Sequence, residues 1–165
     1  MTTTDFLIRE IQPKDNAQLA KVIQSVIVEM GAPKTGTAYE DEATQQMFET
    51  YQKPNAVYFV VEHQKKIVGG AGISQLENAN DTICELQKMY FSPIARGKGI
   101  GYKLLDICLE KAASFGFKTC YLETLPYMKD AQKLYKKLGF CYIDAPMGNT
   151  GHSSCDVWMT KKITS

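Results

Sequence analysis

Residues 95–105 read ARGKGIGYKLL, with Gly97, Gly99 and Gly101 at alternate positions, Arg96 and Lys98 beside them, and an apolar helical run behind. A glycine-rich turn that follows a strand and opens a helix leaves unpaired amides at the positive end of a dipole. An anionic oxygen can sit there, and glycines let the backbone approach it without a Cβ in the way. Two phosphate patterns fail. The chain contains no GxxxxGK[ST] string, and GxGxxG would need glycine where Tyr102 and Leu104 stand. Arg96-x-x-Gly99-x-Gly101 therefore reads either as a seat for some other anion or as a plain helix entrance.

Two side chains, singled out by the family resemblance given below, are of types that move protons. Glu85 lies in CELQKMYF, on the strand that leads into the glycines, and Tyr135 lies in AQKLYKKLGF downstream. A carboxylate can accept a proton, and a phenol of pKa about 10 can donate one at neutral pH. Each also has a plainer interpretation. Tyr135 shares a helix face with Ala131 and Leu138, as a core residue would, and Glu85 could be an acid at the wet end of a strand. Asn149, His152 and Asp156 in PMGNTGHSSCDVWM could by themselves simply bond their own turn. His152 has no second histidine near it, so a metal or nucleophile site with Cys155 is not supported. No metal is expected. His63 falls in a hairpin turn and is expected in solvent.

These residues need a scaffold. DFLIREI reads as a first strand, and Pro13 opens a helix whose apolar positions Leu19, Val22, Ile23, Val26 and Ile27 recur at helical spacing. EATQQMFETYQ reads as a second helix ending before Pro54. AVYFVVEHQKKIVGGAGISQL is a hairpin turning at His63–Lys66, and TICELQKMYF is a long strand stopped by Pro93. A helix over 99–114, a strand at KTCYLETL, a helix closed by Gly139 and two last strands at CYI and CDVWMTKKI complete the chain. The alternation from Glu85 to Phe91 is irregular, as a bulge would make it. An α/β (α+β) domain over residues 1–165 follows, with helices packed on a largely antiparallel sheet.

Composition narrows the partners. A net charge of +1 gives no general attraction to nucleic acid or to an anionic membrane. The five cysteines are odd in number and lack zinc spacing, which suits a reducing compartment. With no apolar run of signal or membrane length, a cytoplasmic protein is expected.

The Arg96-x-x-Gly99-x-Gly101 loop resembles the (Arg/Gln)-x-x-Gly-x-(Gly/Ala) signature of the GCN5-related N-acetyltransferases (GNAT), and AQKLYKKLGF resembles that family's A-x-x-LYEK-x-GF motif. CELQKMYFSPIARGKGIG resembles its fourth strand running into the loop. The resemblance implies the GNAT fold, a mixed, mostly antiparallel sheet of about six or seven strands flanked by about four helices. It implies that the amides of Gly97, Lys98, Gly99, Ile100 and Gly101, with Arg96, hold the pyrophosphate of acetyl-coenzyme A. Lys98 either adds charge or is simply solvated. The backbone of Met89, Tyr90 and Phe91, at a strand end splayed from its neighbour, would hold the pantetheine and the acetyl carbonyl. Tyr135 falls at the general-acid position, and either Glu85 or a water serves as base. Met128 stands where the family often has an asparagine that contacts the coenzyme.

The GNTGHSSCDVW run resembles the C-terminal end of a bacterial subgroup of the family, where this connection walls the acceptor pocket. That implies Asn149, His152 and Asp156 on the acceptor side. The implied acceptor is the primary amine of a small molecule, with a peptide or protein amine as alternative. A non-catalytic acyl-coenzyme A sensor is the rival of another class. Family members are commonly homodimers.

Overall fold

The computed structural model describes residues 5–150 and 155–163. One seven-stranded sheet runs through them in the order β1-β2-β3-β4-β5-β7-β6. Its strands are β1 Phe6–Glu10, β2 Val57–His63, β3 Lys66–Gln75, β4 Ile83–Phe91, β5 Thr119–Thr124, β6 Cys141–Ile143 and β7 Val157–Lys162. The helices are α1 Asn16–Glu29, the single turn α2 Met47–Thr50, α3 Ile100–Ser114 and α4 Lys129–Lys137. Only β4 and β5 pair in parallel, as the crossover through α3 requires. The expected fold, a mostly antiparallel sheet between helices, is observed.

Both faces of the sheet are covered, and β2 shows how. Val57, Phe59 and Val61 enter the core beneath α3 and α4, whereas Tyr58 and Val60 enter the core beneath α1 and α2. Alternate positions feeding two apolar layers explain why the strand has no polar face. Helix α1 buries Leu19, Val22, Ile23, Val26 and Ile27, the stripe its spacing predicts. Gln64 and Lys65 both have positive φ (49° and 65°), the backbone of a two-residue hairpin turn between β2 and β3.

Two expectations need correction. The second helix is broken: a 3-10 turn at Glu42–Gln45 is followed by α2, with Gln46 between them at φ −135°, ψ 48°. Its ends are fastened elsewhere, since Thr44 donates to the Ala38 carbonyl and the Phe48 amide donates to Asn16. His63 is not in solvent but 4% exposed. It closes β2 opposite Phe6, stacked on that ring at 4.4 Å, with Nδ1 3.0 Å from the Asp5 carbonyl.

Candidate active site

Strand β4 builds the site by bulging against β3 and by parting from β5. Against β3, Gly70 faces Tyr90 and Gly72 faces Gln87, so Lys88 and Met89 together stand opposite Ala71. This is the bulge the irregular alternation foretold, and Lys88 takes a left-handed φ of 49° to make it. Tyr58 props it, its hydroxyl donating to the Lys88 carbonyl at 2.7 Å. The Tyr58 ring can lie there because Gly70 and Gly72 lack side chains; a Cβ on either would come within 2.6 and 2.5 Å of it. Against β5, pairing ends at Glu85–Tyr121 although β4 continues to Phe91. The two strands part from there, leaving the last turns of β4 open toward α4.

The glycine loop lies beyond that open end. Gly97 and Gly99 have φ of +72° and +77°, and no atom lies within 4 Å of where their Cβ would point. Gly101 has ordinary helical backbone; its missing Cβ makes room for Leu134, whose Cδ2 would lie 3.0 Å away. Amides from Gly97 to Tyr102 have no backbone partner among the described residues, and Lys103 is the first to donate, to Gly99 at 3.2 Å. These features make an exposed row of donors at the start of α3. A groove of about 450 Å³ runs past them, walled by Phe91, Ala95, Arg96 and Ile100 on one side and by Ala131, Leu134 and Lys137 on the other.

The two cationic residues of the loop are placed differently from each other. Arg96 lines the groove but spends its donors on the protein, on Glu29 at 2.8 Å twice and on the Phe91 carbonyl at 3.0 and 2.8 Å. Lys98 is not among the residues lining the groove and instead lies over the Phe6 ring, 6.0 Å from its centre.

On the other side of the bulge is a cavity of about 270 Å³. Met89, Tyr90, Met128 and Ala131 line both spaces, so cavity and groove meet at the open end of β4. Glu85 lines the cavity at 7% exposure, accepting from Gln87 at 2.7 Å, and the Gln87 oxygen accepts from the Tyr51 hydroxyl at 2.5 Å. Tyr135 lines it at 6% exposure, and its hydroxyl makes no hydrogen bond with a described residue. Burial raises the Tyr135 phenol above its ordinary range, so it is fully protonated at neutral pH. Cys155 lines the cavity too, its thiol pushed up to about 12 by burial and then by Glu123 and Asp156.

The acceptor-side expectations divide. Asn149 lines the cavity and is tied by its amide to the Glu77 carbonyl at 3.0 Å. Asp156 is exposed and does not line it, because the chain there is turning into β7. His152 lies outside the described residues. Met128 precedes α4 with its sulfur 3.6 Å from the Thr124 hydroxyl, which donates to it. Among the described residues, no cluster of three His, Cys, Asp or Glu side chains is placed to hold a metal.

Sequence reasoning passed over Glu123. Its carboxylate accepts from the Tyr121 hydroxyl at 2.6 Å and from the Thr150 hydroxyl, and it lines the cavity beside Glu85. The signal available was the Tyr121-x-Glu123 alternation, which puts both side chains on one strand face. Asp41, paired with Lys88 at 3.2 Å, is a second wall residue that no motif marked.

The family model described as acetyltransferase (GNAT) family matches residues 25–140. The uncharacterized N-acetyltransferase YjgM of Escherichia coli (strain K12) is 41% identical over 158 residues, 95% of this chain and 95% of that one. Among solved structures, an acetyltransferase of the GNAT family from Staphylococcus aureus Mu50 superposes with a TM-score of 0.83 at 21% identity, covering 96% of this chain and 99% of that one. The yncA structure from Salmonella typhimurium, solved with its cofactor acetyl-CoA, gives 0.78 at 19% identity over 97% and 95% of the two chains. No helix of the described residues is long and apolar enough to cross a membrane.

Proposed function

The chain belongs to the acetyltransferase (GNAT) family, and we propose that it transfers acetyl from acetyl-coenzyme A to the primary amine of a small molecule by direct attack. One observation carries this: a groove opening on an exposed row of amides and a cavity walled by carboxylates meet where β4 has parted from β5. A donor and an acceptor entering from opposite sides would bring their reacting atoms together at Met89 and Tyr90.

The chemistry divides among the residues as follows. The amides from Gly97 to Gly101 receive the pyrophosphate, whose charge suits the start of α3; the open sides of Gly97 and Gly99 fit that approach. In the Met89, Tyr90 and Phe91 stretch, the backbone N–H groups that face away from β3, where β4 has left β5, hold the pantetheine and polarise the thioester carbonyl. Glu85, or a water it orders, takes the proton of the ammonium, and the neutral amine forms a C–N bond to the acetyl carbon. The C–S bond breaks, and the Tyr135 hydroxyl, fully protonated and without a partner among the described residues, gives its proton to the departing thiolate. Asn149 and the wall around Glu123 meet the rest of the acceptor.

The test is release of the coenzyme A thiol from acetyl-coenzyme A over a panel of amines, against a control without amine, with the product weighed by mass spectrometry. Amine-dependent release with one acetyl group gained by the amine is expected. Tight coenzyme binding with no turnover on any small amine or peptide would instead describe a sensor.

A further inference from the structure

We infer that the acceptor carries a second cationic nitrogen, seated on Glu123 while its reacting nitrogen faces Glu85. This rests on the acetyl-transfer reading above and adds to it the substrate class: a short diamine, or an amine with another basic group, lacking a carboxylate.

The placement follows from the ladder. Glu85 pairs with Tyr121 across the parallel strands β4 and β5, so Glu123, two residues on, shares its face. Two residues of strand rise and one strand spacing set their Cα atoms about 8 Å apart, and more where the strands part. Two carboxylates on one wall of one cavity, borne by residues this close on one strand face, are a poor match for an acceptor with one charge.

The groups that hold Glu123 are neutral. Tyr121 and Thr150 orient its oxygens by donating hydroxyl hydrogens, and it forms no ion pair among the described residues. A carboxylate has about four lone-pair sites, so two donors leave room for an ammonium. Among the described residues the rest of the wall is acidic in balance. Asp41, Glu77, Glu85 and Glu123 line the cavity against Lys53 and Lys88; Lys88 is engaged by Asp41 at 3.2 Å, and Lys53 is exposed. An acceptor bearing a carboxylate would have to bring it against that wall. The Tyr135 hydroxyl faces the same cavity from a side chain 6% exposed and has no partner among the described residues, so a bound ligand can supply one.

In the reaction only one nitrogen changes. It loses a proton and forms the amide, while the other stays an ammonium on Glu123 and is released with the product.

Three acceptors of matched chain length test this: an aliphatic diamine, the monoamine, and the diamine carrying an added carboxylate. Each is assayed for turnover and, by calorimetry, for binding to the coenzyme A-loaded protein. The diamine should lead both others by at least about tenfold in kcat/KM and in affinity, the value of a charged hydrogen bond. Glu123→Gln should erase that lead through KM, and Glu123→Asp, which keeps the charge, should restore part of it. A monoamine equal to the diamine, a lead for the carboxylate-bearing acceptor, or a diamine lead that survives Glu123→Gln would overturn the inference. If no amine turns over, the transfer reading fails by itself. Calorimetry then decides separately: a diamine lead lost in Glu123→Gln upholds the cation seat, and no lead removes it.

Discussion

Arg96 and Glu29 meet at the mouth of the groove in a two-pronged ion pair, Nη1 to Oε2 and Nη2 to Oε1 both at 2.8 Å. The carboxylate at the end of α1 thus fills the fork that the proposed pyrophosphate would use. Glu29→Gln should therefore tighten acetyl-coenzyme A binding about threefold at low salt, an effect the size of an exposed pair that fades as salt screens it. Arg96→Ala should weaken binding by about tenfold, since the Phe91 carbonyl also loses its donor. Titration calorimetry of the two variants checks both signs.

The three glycines of the loop should respond differently to alanine. Gly99→Ala places a side chain at φ +77°, costing about 1 kcal/mol of stability. It also adds a methyl beside the amides proposed to hold the pyrophosphate, so acetyl-coenzyme A affinity should fall by about tenfold or more. Gly97→Ala behaves alike at φ +72°. Gly101→Ala keeps helical backbone, where alanine is favoured by about 1 kcal/mol, and asks only that the Leu134 methyl move aside. Its melting temperature should stay close to the parent's, with the loss confined to coenzyme binding.

Asp15 links β1 to the start of α1 and sets an acid limit on the fold. It is 2% exposed, which pushes its carboxyl up, but Arg9 at 2.8 and 2.9 Å and the Gln12 amide at 2.8 Å outweigh burial and hold it below the usual range. A folded value below the unfolded one means stability that is fully present above about pH 4 and lost as pH falls through the folded value. Asp15→Asn should cost about 2 kcal/mol at neutral pH, less than a fully buried pair because Arg9 is partly exposed. Urea melts across pH should show the gap between variant and parent closing in acid.

Cys155 lines the cavity, yet its thiol, raised to about 12, is protonated at neutral pH. A thiolate is the nucleophile, so no acetyl group should pass through this side chain. Acetyl-coenzyme A alone should leave the intact mass of the protein unchanged, and steady-state lines should intersect rather than run parallel.

What could be read in the sequence was what is local. The loop glycines, the apolar stripe of α1, the hairpin turn at Gln64–Lys65 and the β4 bulge each follow from spacing within one segment. The rest depends on chain brought from a distance. Arg96 meets a partner 67 residues away, Tyr58 props the bulge from 30 residues away, and Thr150 reaches Glu123 from 27. No pattern along one sequence specifies such pairings. His63 shows the same boundary, since a turn residue becomes buried only because Phe6 stacks on it. The broken second helix does too, its ends held by Ala38 and Asn16.

The central claim is that the groove and the cavity meet at a reaction centre closed by Tyr135. Its most direct test is Tyr135→Phe, which removes one hydroxyl that has no partner among the described residues while keeping the ring packed near Phe140. With the best amine at saturation, kcat should fall about a hundredfold, as loss of a general acid does, while the Kd for acetyl-coenzyme A stays within about twofold. An unchanged kcat would contradict the account.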